Sequence, residues 1–448
     1  MKQLRNLLAC FSLLVAVSAM VIFPTGIKAQ EQHAQETSQA QETSAQTETT
    51  GAGNEAEMHG EEAHACHFHS DTDETEYDPT NTAFHHISDA NVYSIGSFNF
   101  PLPCILYAKD HGWDIFSSSR FEFERFGHGE GHKAYNQYVL DEGTVKHVKD
   151  TSFPTGAVDL EGFHREEIMV EGSKKVNVYV CHAGQQYLVE PQSTADGGLF
   201  GGGITSFYDF SLTKNVVSMM LISILLLWAF SRIAKAYRTR GNMAPSGLQS
   251  FIEPIFLFIQ DEVAKPFLGP KWEKFLPLLM SLFFFILGLN LFSQIPIFGG
   301  SNVTGNLAVT AVLALVTFVV VSINGNKNYW SHIAWMPGVP AVIKILILTP
   351  VEILGIFIKP FTLMLRLFAN ITAGHIVVLS FVGLIFIFGK MGTNIGGSIG
   401  GAIISIPLTM FIMAIELLVA FIQAYVFTLL TASYIGAATE EHHSTEKH

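Results

Sequence analysis

The chain has 448 residues, 49% hydrophobic and only 15% charged, with a mean hydropathy of +0.32. That balance argues against a soluble enzyme, and a formal net charge of −13 offers no surface to nucleic acid. Acidic and apolar residues must be segregated, and the chain changes character near Phe200 to Phe207.

Residues 1–29 read as an export signal. Lys2 and Arg5 precede an apolar stretch from Leu7 to Phe23, and Ile27-Lys28-Ala29 suits cleavage; a retained anchor is the other reading. Leu7-Leu8-Ala9-Cys10 looks like a lipoprotein acceptor site, but too few apolar residues precede it. Without the signal, Cys66, Cys104 and Cys181 remain. An odd number allows at most one disulfide, so the fold is not expected to rest on disulfides.

Residues 30–83 are an acidic, His-rich linker with few large apolar groups, expected to be disordered. Within it His64, Cys66, His67 and His69 are candidate metal ligands, although zinc-finger spacing is absent and a flexible polar tract is the plainer reading. Residues 84–203 form an exported β-rich domain. Val176-Asn177-Val178-Tyr179-Val180 alternates, as do Ile168 and Val170, and Glu171-Gly172-Ser173-Lys174 between them suits a hairpin turn. Phe121, Phe123 and Phe126 offer core material, and the glycine cluster at 197–203 reads as a hinge.

Residues 204–448 form the membrane domain. An apolar run from about Val216 to Phe230 is followed by Arg232, Lys235, Arg238 and Arg240, which places that flank in the cytoplasm and the β-rich part outside. Ser246 to Phe267 reads as an amphipathic helix on the cytoplasmic surface. Spans follow at about 275–297 and 307–323. Two longer apolar stretches, about 341–388 and 399–435, exceed the roughly 20 residues that cross a bilayer. Hydropathy alone allows two crossings in each, or one long tilted helix.

Polar residues interrupt these last stretches: Glu352, Lys359, Arg366, Asn370, His375, Glu416 and Gln423. An arginine at mid-bilayer costs roughly 2.5–3.5 kcal/mol even on lenient insertion scales. On one helix Glu352, Arg366 and Asn370 share nearly one face, while His375 points elsewhere, towards Glu416 in one arrangement. Glu416 and Gln423 share a face on the following segment. Helix-to-helix glue would explain Asn370 or Gln423 alone. An arginine, a glutamate and a histidine in one hydrophobic block point to an ion pathway or proton relay.

The segment Lys359-Pro360 to Arg366-Leu367-Phe368-Ala369-Asn370-Ile371-Thr372-Ala373-Gly374-His375 closely resembles the signature of subunit a of F-type ATP synthases. Glu416, Gln423-Ala424-Tyr425-Val426-Phe427 and Tyr434-Ile435 resemble its last helix. Pro245-Ser246-Gly247-Leu248-Gln249, Asn290-Leu291 and Ile295-Pro296 are similar too. The resemblance covers about Ile204 to Ile435. Many bacterial members carry the His375 and Glu416 residue types exchanged, which suggests that the two touch. The long exported region resembles the extended form found in Bacteroidetes-type bacteria.

The resemblance implies an all-α polytopic membrane domain of about five transmembrane helices plus the surface helix, the last two long and tilted, in the inner membrane. The exported domain would be periplasmic and the C-terminus cytoplasmic. Partners would be a ring of c subunits, b-type peripheral stalk subunits and the rest of the ATP synthase in a lipid bilayer. No cofactor and no catalytic site of the chain's own is expected. His375, Glu416, Asn370 and Gln423 would line an outer half-channel, Glu352 would serve the cytoplasmic side, and Arg366 would face the ring between them. The alternatives are a secondary ion-coupled transporter with Arg366 binding an anionic substrate, expected to show internal repeats, and a membrane-anchored metal sensor.

Overall fold

The computed structural model describes Cys66 and residues 88–440, apart from 96–97, 110, 124–128, 171–172, 194–204, 241–243, 296–300, 335–340 and 391–392. The glycine cluster, the leader, Phe126, His64, His67 and His69 lie outside the described residues.

The N-terminal half is built of short antiparallel strands. β1 (Val92–Ile95) pairs with β2 (Phe98–Pro101), and β3 (Pro103–Ala108) with β4 (Gly112–Ser117). A four-stranded sheet holds β5 (Lys133–Tyr135), β6 (Tyr138–Asp141), β7 (Thr144–His147) and β8 (Ala157–Asp159). The alternation read in the sequence becomes β9 (Gly162–Val170) and β10 (Ser173–His182), paired from Ser173 opposite Val170, with β11 (Gln185–Leu188) on the far edge of β10.

Strand β6 explains how such small sheets stay together. Every one of its residues is buried, and successive side chains of a strand point to opposite faces. Tyr138 and Leu140 enter a core with Cys104, Leu106, Phe116, Phe121 and Phe207, while Val139 enters another with Phe153, Phe163 and Val180. Phe207 belongs to β12 (Phe207–Asp209), which pairs with β3. The strand-rich region therefore continues past residue 203 to the start of the first membrane helix.

Cys66 is bonded to Cys181 on β10, the single bridge that an odd number permits. The bridge agrees with the expectation of at most one, and it attaches Cys66 to the strand that carries Val180 of the second core. Cys66 therefore has no thiolate to offer a metal. Among the described residues no group of three or more His, Cys, Asp or Glu is placed to hold one. Cys104 is a free, buried thiol, pushed up to about 12 by burial and by the charge of Asp209, so it is inert.

Among the described residues, seven helices of eight or more residues build the other half: α1 (Lys214–Arg240), α2 (Leu248–Ile259), α3 (Trp272–Ser293), α4 (Leu307–Asn324), α5 (Lys327–Ala334), α6 (Thr349–Gly389) and α7 (Ile395–Thr439). The expected surface helix is α2, and it does not end cleanly. It runs through a π turn (Gln260–Ala264) and a short helix (Lys265–Leu268) up to α3, so that 248–293 counts as one of five apolar units long enough to cross a membrane.

Helix α3 is the centre of the bundle. It is apolar all round, as a helix enclosed by others must be, and Leu279, Phe283, Phe285, Ile286 and Leu289 are all fully buried. Helices α6 and α7 have 41 and 45 residues. At about 1.5 Å per residue each is roughly twice the ~30 Å hydrocarbon thickness. One oblique helix thus replaces the two crossings that hydropathy also allowed. The last carbonyls of α7 are satisfied by Lys271 Nζ and Asn326 Nδ2, which both donate to Thr439 O at 2.9 Å. That contact puts the end of α7 beside the start of α3 and the end of α4.

Two outcomes are expected for the bridge. In protein prepared without reductant, Cys66 and Cys181 should resist maleimide labelling until reduced, while Cys104 reacts only after unfolding; a gel-shift assay reads this directly. Cys181→Ser should lower the stability of the strand-rich region by about 2–5 kcal/mol, measured as its resistance to proteolysis in urea.

Candidate functional site

His375 and Glu416 meet between α6 and α7. The Nδ1–Oε1 distance is 3.1 Å, and the two side chains are 13% and 6% exposed. The contact is a close approach of imidazole and carboxylate, not an aligned hydrogen bond, since Glu416 Oε1 has no hydrogen-bond donor. His375 Nε2 and Thr372 Oγ1 are likewise buried without a hydrogen-bond partner. An imidazole whose second nitrogen is unoccupied has one site to receive a proton and one beside a carboxylate to give it.

Gly374 makes the contact possible. A Cβ there would lie 3.0 Å from Glu416 Oε1 and 3.1 Å from Cδ, so even alanine would require the carboxylate to shift by a few tenths of an ångström, and a larger side chain would crowd it further. Gln423, two turns beyond Glu416 on α7, is also buried. One turn beyond Glu416 on α7, Asn290 of α3 uses both ends of its amide. Its Nδ2 donates to Ala420 O at 3.2 Å, and its Oδ1 accepts from Thr304 Oγ1 at 2.8 Å. Neither Gly374 nor Asn290 stood out in the sequence as a site residue, although a lone amide inside an apolar run was a signal.

The remaining polar residues lie further towards the start of α6. Glu352 is half-buried in its first turn. Burial and the Glu352 carboxylate push the Tyr329 phenol of α5 up. Tyr329, Lys359, Pro360 and Tyr434 line one cleft, with Lys359 Nζ 5.6 Å from the Tyr434 ring. Arg366 is half-buried, and its charge acts on the Tyr434 hydroxyl. Asn370 is exposed and does not join the buried His375–Glu416 contact. Along α6, Glu352 and Arg366 are about 21 Å apart and Arg366 and His375 about 14 Å, from ~1.5 Å of rise per residue. The set thus divides into two clusters with the arginine between them.

A family model described as ATP synthase A chain matches residues 216–436, which contain all six of these site residues. The chain is 42% identical to ATP synthase subunit a 2 of Chlorobaculum tepidum, over 54% of this chain and 67% of that protein. It is 40% identical to ATP synthase subunit a of Chloroherpeton thalassium, over 54% and 71%. Against ATP synthase subunit a of Anaeromyxobacter dehalogenans it is 38% identical, over 65% and 76%. The chain belongs to the ATP synthase A chain family.

With that family and five helical units of spanning length among the described residues, the chain is a multi-pass membrane protein. A second family model, described as a domain of unknown function, matches residues 82–187. The strand-rich region therefore carries a module distinct in sequence from the membrane helices shared with the relatives.

Gly374→Leu should destabilise the purified protein by about 1–3 kcal/mol through overpacking. Glu416→Ala in the same chain should relieve most of that loss, because it removes the atoms that clash. Thermal unfolding of the two single variants and the double variant checks the non-additivity.

Proposed function

We propose that this chain is the stationary proton channel of an F-type ATP synthase, held beside a rotating ring of c subunits and braced by b-type stalk subunits. The buried His375–Glu416 contact carries the reading. Imidazole titrates near neutral pH and a carboxylate beside it supports its charged form, so the pair can hand protons inward from the periplasmic side. Gln423 and Asn370 extend that outer half-channel towards the ring. Glu352, with Tyr329 beside it, serves the cytoplasmic half-channel.

Arg366 lies between the two clusters and has a different task. Its guanidinium keeps its proton under all relevant conditions, so it cannot relay one. It can hold a passing ring carboxylate ionised, and its fixed positive charge opposes a proton hopping directly from one half-channel to the other. Such a leak would dissipate about 2.3 kcal/mol for each 100 mV crossed. The ring itself would meet the apolar face that α6 and α7 leave open, where Phe357, Phe361, Met410 and Leu417 are exposed.

Arg366→Ala should abolish ATP-driven proton pumping in inverted membrane vesicles while the complex stays assembled; coupled pumping retained in that variant would overturn the proposal. For the relay, His375→Glu combined with Glu416→His should recover more pumping than either single change. Equal loss in all three variants would mean that the two side chains do not exchange protons directly.

A further inference from the structure

The module of unknown function is joined to the membrane helices without slack. Phe210 N donates to Ile105 O at 2.8 Å and Leu212 N to Pro103 O at 3.2 Å, so the chain stays in the β3 sheet until α1 begins. The first amides of α1 are then capped from a distant segment. Lys214 N donates to Ala90 O at 2.8 Å and Asn215 N to Asp89 Oδ1 at 3.1 Å, while Thr213 Oγ1 donates to Asp89 Oδ2 at 2.7 Å. A carboxylate is the favoured group at a helix N-terminus. Asn91, fully buried, fixes the same segment by donating to Asp209 Oδ2 at 3.0 Å and accepting from Val145 N at 3.0 Å.

The polar contacts continue inward. Ser218, one turn into α1, lies 3.4 Å from Tyr93 OH of the outer module and accepts from Ser301 Oγ at 2.7 Å. Ser301 also donates to Asn215 Oδ1 at 3.3 Å. It leads within three residues to Thr304, which donates to Asn290, which in turn donates to Ala420 O. Ala420 sits one helical turn beyond Glu416. Asn91, Asn215, Ser218, Ser301, Thr304 and Asn290 are each at most 2% exposed. Buried polar groups that satisfy one another resist separation, because parting them leaves each unpaired in a low-dielectric setting.

We propose that the outer module is a brace: its buried joint with α1 and with the segment before α4 holds the α3–α7 seam, and so holds Glu416 against His375. Asn91, Ser301, Thr304 and Asn290 are positioning residues in this scheme, acting on the relay through the backbone of α7. The inference rests on the proposed role of that pair for its functional consequence, but its structural half stands independently. Default behaviour for two domains in one chain is relative motion. This joint removes that motion where the channel opens outward.

The test uses the intact complex in native membranes. Asn91→Leu should raise amide hydrogen exchange several-fold, not only at residues 214–218 beside it but also at 301–308 and 416–424. Thr304→Val should slow ATP-driven proton pumping several-fold, and Thr304→Ser, which keeps the hydroxyl, should restore it at equal subunit level. The Asn91→Leu and Thr304→Val variants combined should lose no more than the worse single change, since both interrupt one path. Should Asn91→Leu fail to accumulate, Ser218→Cys with Ser301→Cys gives a second reading, in which oxidative closure of the joint should leave pumping intact. Exchange that rises only at 214–218 with pumping unchanged would make the module a passive appendage and overturn the proposal. Arrest of pumping on closing the 218–301 joint would overturn it too, because the joint would then have to move. Pumping retained in Arg366→Ala would instead refute the channel reading, leaving the exchange coupling untouched.

Discussion

A carboxylate enclosed by apolar helices needs a partner, and the pairing of Glu416 with His375 governs how α6 and α7 meet. The penalty for an isolated buried ion is several kcal/mol even after relaxation, so the two helices are constrained to keep their polar residues face to face. Gly374 is the steric counterpart of that electrostatic constraint, because a Cβ there would come within 3.0 Å of the carboxylate. One turn along α7, the amide of Asn290 stops the helix from sliding, since its donor and acceptor are both already used. Charge, shape and hydrogen bonding agree at one crossing point.

From that crossing the rest of the membrane half can be read as spacing. A single unbroken α6 carries Glu352, Arg366 and His375, so the distances between the two polar clusters are fixed by helical rise. Two short crossings joined by a loop would leave those distances free. The length of α6 and α7, about twice a perpendicular span, is therefore tied to function: it separates two polar clusters along one rigid element and leaves a long apolar face open. In a relay of this kind, separation is what forces a proton to leave by way of a partner.

The sequence made some of this legible and hid the rest for identifiable reasons. The β9–β10 pairing followed from alternation on either side of Glu171-Gly172-Ser173-Lys174, because a strand's side-chain period is unambiguous, although Ser173 and Lys174 already belong to β10. About five spanning helices followed from the family resemblance, since hydropathy alone allowed two crossings in each of the last two stretches. The length of α6 and α7 did not follow from hydropathy, which measures composition and is blind to whether a helix continues. The contact between His375 and Glu416 was suggested by helical spacing, which turned His375 away from the Arg366 face, and by the exchange of acid and imidazole that the family resemblance implied. Cysteine number limited the bridges to one but could not name Cys66 and Cys181. Strand β12 and the joint at Asp89 and Asn91 were hidden for a different reason. Their partners lie more than a hundred residues away in the chain, and no local period encodes such a pairing.

Arg366 brings the two halves together. It costs roughly 2.5–3.5 kcal/mol to insert, is half-buried, and acts within this chain on the phenol of Tyr434, which is not a counter-ion. A cation so placed is best compensated by an acid arriving from outside the chain, on the face where α6 and α7 are exposed. Electrostatic stabilisation of an arriving charge is strongest when the stabilising group is already fixed, so that nothing has to reorganise when the charge appears. Fixing Arg366 requires a rigid α6, a rigid α6 requires α7 held against it, and α7 is held by α3 through Asn290 and Ala420. Since that path continues through Thr304 and Ser301 to Asn91, the outer strands and the intramembrane arginine belong to one mechanical unit.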